Sequence, residues 1–363
     1  MKECKMRVNQ TYINKQIDIP YLLKIGEGKL AKVGKYLSDK ELKNIALFSG
    51  EGIENILGDD FFKGLDDFSV KTVLRQSVVN IDLDSITRAA FSLPPSTEAV
   101  VGVGGGKALD FAKYAACLLR LPYIAVPTVM SNDGFCSPSS SLTVSGKRKS
   151  VKSGIPFGVV IDLEVIRENP DVFLYSGIGD MISKITALKD WKNAFRKGNE
   201  RFNDFASLMA YNSLDILFLK HSFDIRSSEF QRSLANSLLT SGLAMEIAGS
   251  SRPASGSEHL ISHALDAVSS KPKIHGIQVG VATYLCALLQ NNENLEDVVS
   301  VLKNTGFLDF VARNPFDRHD FEKALKLAPA IKPDYYTVLS EPDYFERSVK
   351  YLETDEILKT LII

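Results

Sequence analysis

The sequence predicts an α/β domain built on a parallel sheet, followed by an all-α domain. In the first half, short β-rich runs alternate with helix-like stretches, which is the pattern of a parallel sheet covered by helices. One of those runs leads through a cluster of glycines directly into a helix-like stretch. From about Leu163, apolar residues recur at spacings of three and four, and glycines and β-branched runs become rarer. We therefore expect the domain boundary near residues 162–170, at Asn169-Pro170.

The strands of the first domain are predicted from short runs rich in apolar and β-branched residues. These runs are Tyr21–Ile25, Ile45–Ser49, Val70–Leu74, Ala99–Val103 and Tyr123–Val126. A helix is expected between most of them, as at Gly28–Leu37. The stretch around Ser145-Gly146 predicts a hairpin, and Phe157–Asp162 predicts the last strand of this domain.

The second half predicts long helices. Apolar spacing places them at 178–196, 201–221, 231–248, 256–268 and 276–290, with more beyond. No internal repeat and no low-complexity tail interrupts this pattern.

Composition excludes several classes of protein. A chain of 363 residues is long enough for two domains, and 45% apolar with 24% charged residues is ordinary for a globular protein. With 43 basic and 44 acidic residues the net charge is -1, which disfavours nucleic acid as a partner. The N-terminus lacks the apolar core of a secretory signal. The longest uncharged stretch, Ile274–Asn292, contains polar residues, and its apolar part is too short to span a bilayer.

Cysteine usage fits the same picture. The four cysteines have neither metal-ligand nor disulfide-framework spacing, which is typical of a reducing cytoplasm: Cys4, Cys117, Cys136 and Cys286. We expect a cytoplasmic enzyme with no membrane partner.

A glycine cluster follows the run Ala99–Val103. Gly104, Gly105 and Gly106 lead into a stretch with an apolar helical face. Glycines there let the backbone approach a ligand, and the first N–H groups of a helix are free to bind phosphate. Lys107 stands where the dinucleotide fingerprint would have its third glycine. Two readings stay open, a pyrophosphate site and a tight strand-to-helix turn. After Pro127, the polar stretch SNDGFCSPSSS predicts a functional loop at the end of a strand.

Three of the five histidines fall within seventeen residues. The pattern Ser255-Gly-Ser-Glu258 fits a capping box that starts a helix at Ser255. His259 and His263 would then share one face of that helix. His275 opens the next helix after a break at Lys271-Pro272, so a helical hairpin would bring the three imidazoles together.

Imidazoles grouped in this way suit Zn, Ni or Fe(II), although ordinary surface histidines are the alternative. Asp180 is a candidate for a third ligand at a helix start. The alternative is that the helix dipole stabilises the Asp180 carboxylate there without any metal.

Several stretches together resemble a superfamily of dehydroquinate synthases, glycerol dehydrogenases, iron-dependent alcohol dehydrogenases and sn-glycerol-1-phosphate dehydrogenases, the last most closely and especially in its archaeal type. They are VGVGGGKALDFAK, PTVMSNDGFCSPSSSL, KSVKSGIPFGVVID, GIGDMISKITALKDW and SGLAMEIAGSSRPASGSEHLISHALD, followed by His275-Gly276. They occur in order from about residue 98 to 290.

The resemblance implies a dehydroquinate synthase-like fold. A Rossmann-like dinucleotide-binding domain would span residues 1–164, and a helical metal- and substrate-binding domain residues 165–363, with the active site between them. The cofactor would be NAD or NADP. The implied cofactor-binding residues are Gly104, Gly105, Gly106, Lys107, Ala108, Thr128, Val129, Met130, Ser131 and Ser137.

For the chemistry, the resemblance implies one divalent metal ion bound by Asp180, His259 and His275. Zn is the expected ion, with Ni or Fe as alternatives. Asp133 would face the substrate near the nicotinamide and His263 would contact the substrate, so Asp133, Asp180 and His263 are the implied catalytic residues. The reaction would be reversible hydride transfer between dihydroxyacetone phosphate, a triose phosphate, and sn-glycerol-1-phosphate. A homo-oligomer is expected.

The substrate phosphate needs positive partners. Arg252, just ahead of the capped helix, is the first candidate, because its planar fork suits phosphate oxygens; Lys152 in the basic hairpin is the second. Lys147, Arg148 and Lys149 are interpreted as a solvated turn. We also count Asp180 among the substrate-facing residues.

Two departures from the family's pattern bear on the site. Ile277 stands where the family usually has Glu after the final His-Gly, which would remove a carboxylate behind the metal ligands. Asn132 stands where archaeal relatives often carry His, near the substrate loop.

Three alternatives for the activity stay open. One is a glycerol or polyol dehydrogenase on the same scaffold, and another is a cyclase that uses bound NAD as a temporary oxidant. The third is an inactive binding protein that kept the fold.

Overall fold

The computed structural model describes residues 17–218 and 222–363. Its main feature is a six-stranded, entirely parallel sheet with the strand order β1-β8-β5-β4-β2-β3. These strands are β1 Leu22–Gly26, β2 Asn44–Gly50, β3 Lys71–Val78, β4 Ala99–Gly104, β5 Tyr123–Pro127 and β8 Gly158–Asp162. Every predicted strand of the first half is therefore found, with its ends shifted by a few residues.

Helices connect the strands as predicted from the alternating pattern. They are α1 Val33–Ser38, preceded by a single 3-10 turn, α2 Glu54–Asp67, α3 Leu83–Phe91 and α4 Gly106–Leu119. Both faces of the sheet are buried, as parallel sheets require. In β2, for example, Ala46 and Phe48 join one hydrophobic core, while Ile45 and Leu47 join the other.

The order of the strands creates a crevice. The chain adds β3 on one side of β2 and then crosses to place β4 on the other side. The carboxyl ends of β2 and β4 therefore flank the point where the strand order reverses, which is where ligands bind in open α/β sheets. The glycine cluster lies at this point.

The predicted hairpin forms a small separate sheet. β6 (Ser139–Val144) pairs with β7 (Lys147–Lys152) in antiparallel register around the Ser145-Gly146 turn. It rests on α4, where the buried Asp110 accepts the N–H of Ser141 at 3.1 Å.

All described elements after Asp162 are helical. They are α5 Leu163–Glu168, α6 Val172–Ile182, α7 Lys184–Arg196, α8 Asp204–Phe218, α9 Ser228–Ala248, α10 Ser257–Val268, α11 His275–Leu289, α12 Leu295–Asn304, α13 Phe307–Ala312, α14 Arg318–Ile331, α15 Tyr344–Thr354 and α16 Leu358–Leu361. The change of pattern expected near Leu163 is thus present, while the division into two domains at residues 164–165 stays a prediction.

Two predicted helices differ in extent from what the structure describes. The segment predicted as one helix over 178–196 is two helices that meet at Ser183. The end of the helix predicted over 201–221 lies outside the described residues, as does Cys4. None of the described helices is long and apolar enough to cross a membrane.

Candidate metal and cofactor site

Asp180, His259 and His275 converge in the helical half. Their ligand atoms all lie within 4.8 Å of one another. The Asp180 Oδ1 atom is 3.5 Å from His259 Nε2 and 3.8 Å from His275 Nε2. Within residues 17–218 and 222–363 this is the one group of three such side chains that could hold a metal ion.

The helical hairpin predicted from the histidine spacing is present. His259 and His263 lie one turn apart on α10, with ring centroids 6.5 Å apart. His275 is the first residue of α11, and its ring lies 5.1 Å from that of His259 and 5.8 Å from that of His263. The three imidazoles therefore share one small region. His263 lies on its open side and is exposed.

Glycines bring Asp180 to this hairpin by letting α6 and α11 cross at very short distance. A Cβ on Gly179 would lie 2.0 Å from the carbonyl oxygen of Gly276, and a Cβ on Gly276 would lie 1.8 Å from that of Ser176. Asp180 itself lies in the last turn of α6. The prediction that it stands at a helix start is wrong, because the glycines before it serve helix packing and not a turn.

The two histidine ligands are each oriented by a second polar group. His259 Nδ1 lies 2.9 Å from the fully buried Glu258 Oε1, and His275 Nδ1 lies 3.1 Å from Ser262 Oγ. These contacts leave the Nε2 atoms facing Asp180, which is how proteins fix metal-binding imidazoles. Sequence reasoning missed both roles.

Glu258 does not form the predicted capping box. α10 begins at Ser257, its N-cap is Gly256, and no side chain caps it. The Glu258 carboxylate instead accepts the N–H of Gly256 at 2.5 Å and the hydroxyl of Thr186 at 2.7 Å. The capping prediction is therefore wrong here, because the carboxylate is drawn into the core beside His259.

The pKa values of Asp180 and His275 suit cation binding. Burial would lower the pKa of His259, but its contacts with Asp180 and Glu258 outweigh burial and raise that pKa, so a cation would have to displace a proton from His259. Burial alone would raise the pKa of Asp180, but Lys184 and His259 outweigh it and hold that pKa below its ordinary value. Burial, together with the charge of His259, lowers the pKa of His275 to about 4. His275 is therefore neutral near pH 7, as a metal ligand must be. One carboxylate and two oriented imidazoles fit a divalent ion with an open fourth position.

Asp133 connects the loop after β5 to this cluster. Its N–H donates to Asp180 Oδ2 at 3.1 Å. Its own Oδ2 accepts the hydroxyl of Ser241 at 2.7 Å and lies 3.2 Å from the ammonium of Lys184. Lys184 is fully buried and also lies 3.3 Å from Asp180 Oδ2. Sequence reasoning missed Lys184 and Ser241, although Asp180 and Lys184 are spaced four apart.

The glycine turn lies at the crevice of the sheet. Gly104 has φ 138°, a conformation that favours glycine, and a Cβ there would lie 3.2 Å from the amide nitrogen of Gly50. Gly105 is the extended N-cap of α4, so the first turn of α4 presents free N–H groups. Gly106 and Lys107 are exposed at this end, while Ala108 is buried. The fold therefore has the shape of an anion site at a helix N-terminus.

The other residues predicted to bind a cofactor lie along the loop after β5. The Thr128 N–H donates to the carbonyl of Gly104 at 3.1 Å, and a Val129 methyl lies near Gly105. The Met130 side chain is buried in the hydrophobic core. The Ser131 carbonyl accepts the hydroxyl of Ser176 at 2.8 Å.

Ser137 is held in place by a buried lysine that sequence reasoning missed. Its hydroxyl donates to the carbonyl of Ser139 at 2.9 Å. Lys113 on α4 donates to the carbonyls of Gly134, Ser137 and Ser139 at 2.8, 3.2 and 2.6 Å. α4 therefore fixes both the glycine turn and this loop.

Arg252 is not brought to the metal cluster. Its guanidinium forms a bidentate pair with Glu200, donates to the carbonyl of Tyr336 at 2.8 Å and lies 3.3 Å from the ring centre of Tyr335. It is 1% exposed. Lys152 is exposed at the end of β7.

Two other cations act on His263. Although His263 reaches solvent, the packing around its ring lowers its pKa below the ordinary value, and the charges of His275, His259, Lys332 and Arg148 act in the same direction. Lys332 caps the end of α14, and its Nζ lies 4.8 Å from the ring centre of Tyr335. Arg148, interpreted above as part of a solvated turn, is exposed but also acts on His275 and Asp266. The sequence carried no signal that these two residues act on one histidine.

The two departures from the family's pattern have structural places. Ile277 is 3% exposed and packs in the hydrophobic core. The Asn132 Oδ1 atom accepts the N–H of Gly134 at 2.9 Å and so caps the short turn that carries Asp133. Glu258 supplies a carboxylate behind the metal ligands from another position.

Comparisons with known proteins found relatives in sequence and in structure. A relative from Methanococcoides burtonii, named glycerol-1-phosphate dehydrogenase (NAD(P)+), is 35% identical over 90% of this chain and 91% of its own. A relative of the same name from Thermococcus sibiricus is 34% identical over 90% of this chain and 93% of its own. The crystal structure of glycerol dehydrogenase from Schizosaccharomyces pombe superposes with a TM-score of 0.76 at 20% identity, covering 94% of this chain and 92% of that one.

The model of the iron-containing alcohol dehydrogenase family matches residues 24–170. The crystal structure of an iron-containing alcohol dehydrogenase from Thermotoga maritima shares the fold, with a TM-score of 0.66 at 18% identity, covering 95% of this chain and 99% of that one. The chain belongs to the glycerol-1-phosphate dehydrogenase family.

Proposed function

We propose that this protein catalyses the reversible, NAD(P)-dependent conversion of dihydroxyacetone phosphate to sn-glycerol-1-phosphate, with one divalent cation bound by Asp180, His259 and His275. The observation that carries the proposal is this cluster, placed beside a glycine turn at the crevice of a parallel sheet in a chain whose relatives bear that name. When bound, the nicotinamide supplies the hydride and the cation polarises the C2 oxygen.

The glycine turn is proposed to hold the cofactor pyrophosphate. The free N–H groups at the start of α4 are donors to phosphate oxygens, and the absence of side chains at Gly104, Gly105 and Gly106 permits close approach. The loop Thr128–Ser131 and Ser137 would line the same crevice. Lys113 contributes by holding that loop against α4.

Asp133 and His263 are proposed to contact the reacting part of the substrate. Asp133 has one oxygen engaged by Ser241 and Lys184, and its Oδ1 has no hydrogen-bond partner in the described parts of the chain, so it is free to accept a substrate hydroxyl. His263 is neutral near pH 7, because its pKa is lowered. A neutral imidazole can donate a proton from one nitrogen to the C2 oxygen and take one from water at the other.

Lys332 and Arg148 are proposed as the partners of the substrate phosphate. Arg252 is already neutralised by Glu200, whereas the side-chain ammonium of Lys332 has no hydrogen bond or ion pair among the residues described. The charges of both proposed cations lower the pKa of His263, one from the end of α14 and the other from the hairpin. Loss of a charged hydrogen bond costs about 1.5–3 kcal/mol, or roughly 10- to 150-fold in binding. Lys332→Met should raise KM for dihydroxyacetone phosphate by that factor, whereas Lys326→Met, on the exposed side of the same helix, should not.

One assay tests the function. Oxidation of NADH and of NADPH would be followed at fixed metal content with dihydroxyacetone phosphate, dihydroxyacetone and glyceraldehyde-3-phosphate side by side. The proposal expects dihydroxyacetone phosphate to be reduced with the highest kcat/KM, and chiral analysis to show sn-glycerol-1-phosphate. Preference for unphosphorylated dihydroxyacetone would instead identify a polyol dehydrogenase. No net turnover of free cofactor would exclude a dehydrogenase.

The remaining details are also proposals. We infer that zinc is the resident ion, because two imidazoles and one carboxylate are a ligand set that zinc commonly takes, although nickel and iron accept the same donors. Elemental analysis of protein purified without chelators would identify the ion. A homo-oligomer in the cytoplasm follows from the family resemblance, and light scattering during size-exclusion chromatography and cell fractionation would test these two points.

A further inference from the structure

Lys184 is a buried lysine that touches the carboxylates of Asp180 and Asp133 at once. It is the first residue of α7, directly after the break at Ser183, and its side chain is fully buried. Its Nζ donates to the carbonyl oxygen of Asp180 at 2.6 Å and lies 3.3 Å from Asp180 Oδ2 and 3.2 Å from Asp133 Oδ2. A lysine ammonium has three donors, so its donors are fully used by these acceptors.

The two carboxylate oxygens of Asp180 therefore have different partners. Oδ2 receives the Lys184 ammonium and the N–H of Asp133, whereas Oδ1 faces the Nε2 atoms of His259 and His275. A cation at this cluster would therefore be held by one carboxylate oxygen and two nitrogens. For an ion that prefers four ligands, one position would remain for a substrate oxygen.

The two carboxylate oxygens of Asp133 also differ in their partners. Lys184 and Ser241 engage Oδ2 and leave Oδ1 available. Because Asp133 lies on the loop after β5 and Lys184 on α7, this ammonium also ties the cofactor side of the crevice to the metal side.

We propose that Lys184 is a positioning residue that restricts Asp180 to a single metal-binding oxygen, and so keeps a coordination position open for substrate at the expense of metal affinity. The proposal rests on the proposed function in one respect, that a divalent cation occupies the Asp180–His259–His275 cluster. It differs from a purely structural role in the sign of the expected effect. A lysine that only supported the fold would, when removed, weaken metal binding. A lysine that competes with the cation for Asp180 would, when removed, strengthen it, because a neighbouring positive charge and a competing partner are lost together.

The experiment is a titration of metal-free protein with CoCl₂, followed by visible absorption, on the wild type and on Lys184→Met. We expect the dissociation constant for Co²⁺ to fall about tenfold or more in the variant. We also expect the absorption per bound ion to weaken, since four-coordinate Co²⁺ absorbs more strongly than Co²⁺ with a fifth ligand from Asp180 Oδ2. With dihydroxyacetone phosphate, kcat should fall while the metal remains bound.

The matched control is Lys113→Met. Lys113 is also a buried lysine, 2% exposed, and it binds the same loop through the carbonyls of Gly134, Ser137 and Ser139, but it contacts neither Asp133 nor Asp180. Its loss should lower stability and leave the Co²⁺ dissociation constant within twofold of wild type. Should Lys184→Met not fold, Lys184→Gln tests the loss of the charge alone, because it is neutral but retains a donor, and we expect it to lower the Co²⁺ dissociation constant by a smaller factor.

Unchanged or weaker Co²⁺ binding in a folded Lys184 variant would overturn the proposal. Absence of Co²⁺ binding to the wild type would overturn the metal cluster and this proposal with it. Tight Co²⁺ binding that responds as expected, in a protein inactive on triose phosphates, would leave this inference standing and remove only the proposed substrate.

Discussion

The two halves of the molecule present their functional groups by different physical means. The sheet half offers main-chain N–H groups at a strand-to-helix turn, where Gly105 caps α4 and side chains are absent. The helical half offers buried charged and imidazole side chains, such as Asp180 and His259, which other side chains orient. Binding at a site of main-chain N–H groups should be weakened by an added side chain. Binding at a site of side chains should be weakened by removal of a ligand atom or a charge. The following predictions, from the largest expected effect to the smallest, test that difference.

Loss of a ligand imidazole should have the largest effect. His259→Ala and His275→Ala each remove one of three donors, and we expect each to abolish tight metal binding and measurable activity. Elemental analysis after dialysis and the NADH oxidation assay would measure both. Full metal occupancy in either variant would remove that residue from the ligand set.

Arg252→Ala tests whether the buried guanidinium of Arg252 binds the substrate phosphate or only stabilises the fold. Its guanidinium is paired with Glu200 and stacked on Tyr335, so its loss should lower the free energy of unfolding by about 2–4 kcal/mol. Urea unfolding would measure this. Activity with dihydroxyacetone phosphate and with dihydroxyacetone should change by the same factor. A rise in KM confined to the phosphorylated substrate would instead make Arg252 a phosphate ligand, as expected from sequence.

Gly276→Ala tests whether the difference between the two halves is complete. Gly276 lies in the helical half, yet we expect this position to be sensitive to added bulk. The new Cβ would lie 1.8 Å from the Ser176 carbonyl oxygen and would push α11, which begins with His275, away from α6. We expect a loss of about 2–3 kcal/mol in the free energy of unfolding and weaker metal binding. Gly106→Ala is the control, since a Cβ there meets nothing within 4 Å. Equal stability of the two variants would contradict the close helix crossing.

Gly105→Val should separate stability from cofactor binding in the sheet half. A Cβ at Gly105 would make only an ordinary contact of 3.5 Å with Val129, so the fold should tolerate it better than Gly276→Ala. The side chain would, however, obstruct approach of a pyrophosphate to the start of α4. We expect the NADH dissociation constant, measured by fluorescence titration, to rise about tenfold. An unchanged constant would mean that the cluster is only a turn.

The pH dependence of stability that Asp190 contributes, measured against Asp190→Asn, is the smallest effect expected. Asp190 is fully buried on α7, accepts the N–H groups of Ser257 and Val338, and has its pKa raised from 3.8 to about 6, chiefly by burial and then by Glu258. The folded state therefore binds this proton more tightly than the unfolded state, so the stability that Asp190 contributes is present below about pH 4 and is lost as pH rises through about 6.

The stability of the wild type relative to Asp190→Asn should accordingly fall by about 1–3 kcal/mol between pH 4.5 and pH 7. Urea unfolding at several pH values would measure the difference. A difference that stays constant with pH would show that Asp190 has an ordinary pKa in the folded protein.

Sequence reasoning went furthest where the information is local. The strand runs, the hairpin turn and the glycine turn depend on neighbouring residues, and they are found close to where they were predicted. The convergence of His259, His263 and His275 followed from helical spacing and one chain break, which are local as well. The capping box failed, although its pattern was local, because Glu258 is drawn to His259 and Thr186.

By itself, the sequence determined the order of strands and helices, the glycine turn and the histidine spacing, because each depends on backbone periodicity over a few residues. Only the tertiary structure decided which Asp180 oxygen faces the histidines, that Lys184 joins Asp133 to Asp180, and that Arg252 pairs with Glu200. Each of these outcomes is a competition between charged groups brought together by packing. Residues 133 and 184, or 200 and 252, lie about fifty positions apart, and no local pattern in the chain encodes which of several buried partners a charge will meet.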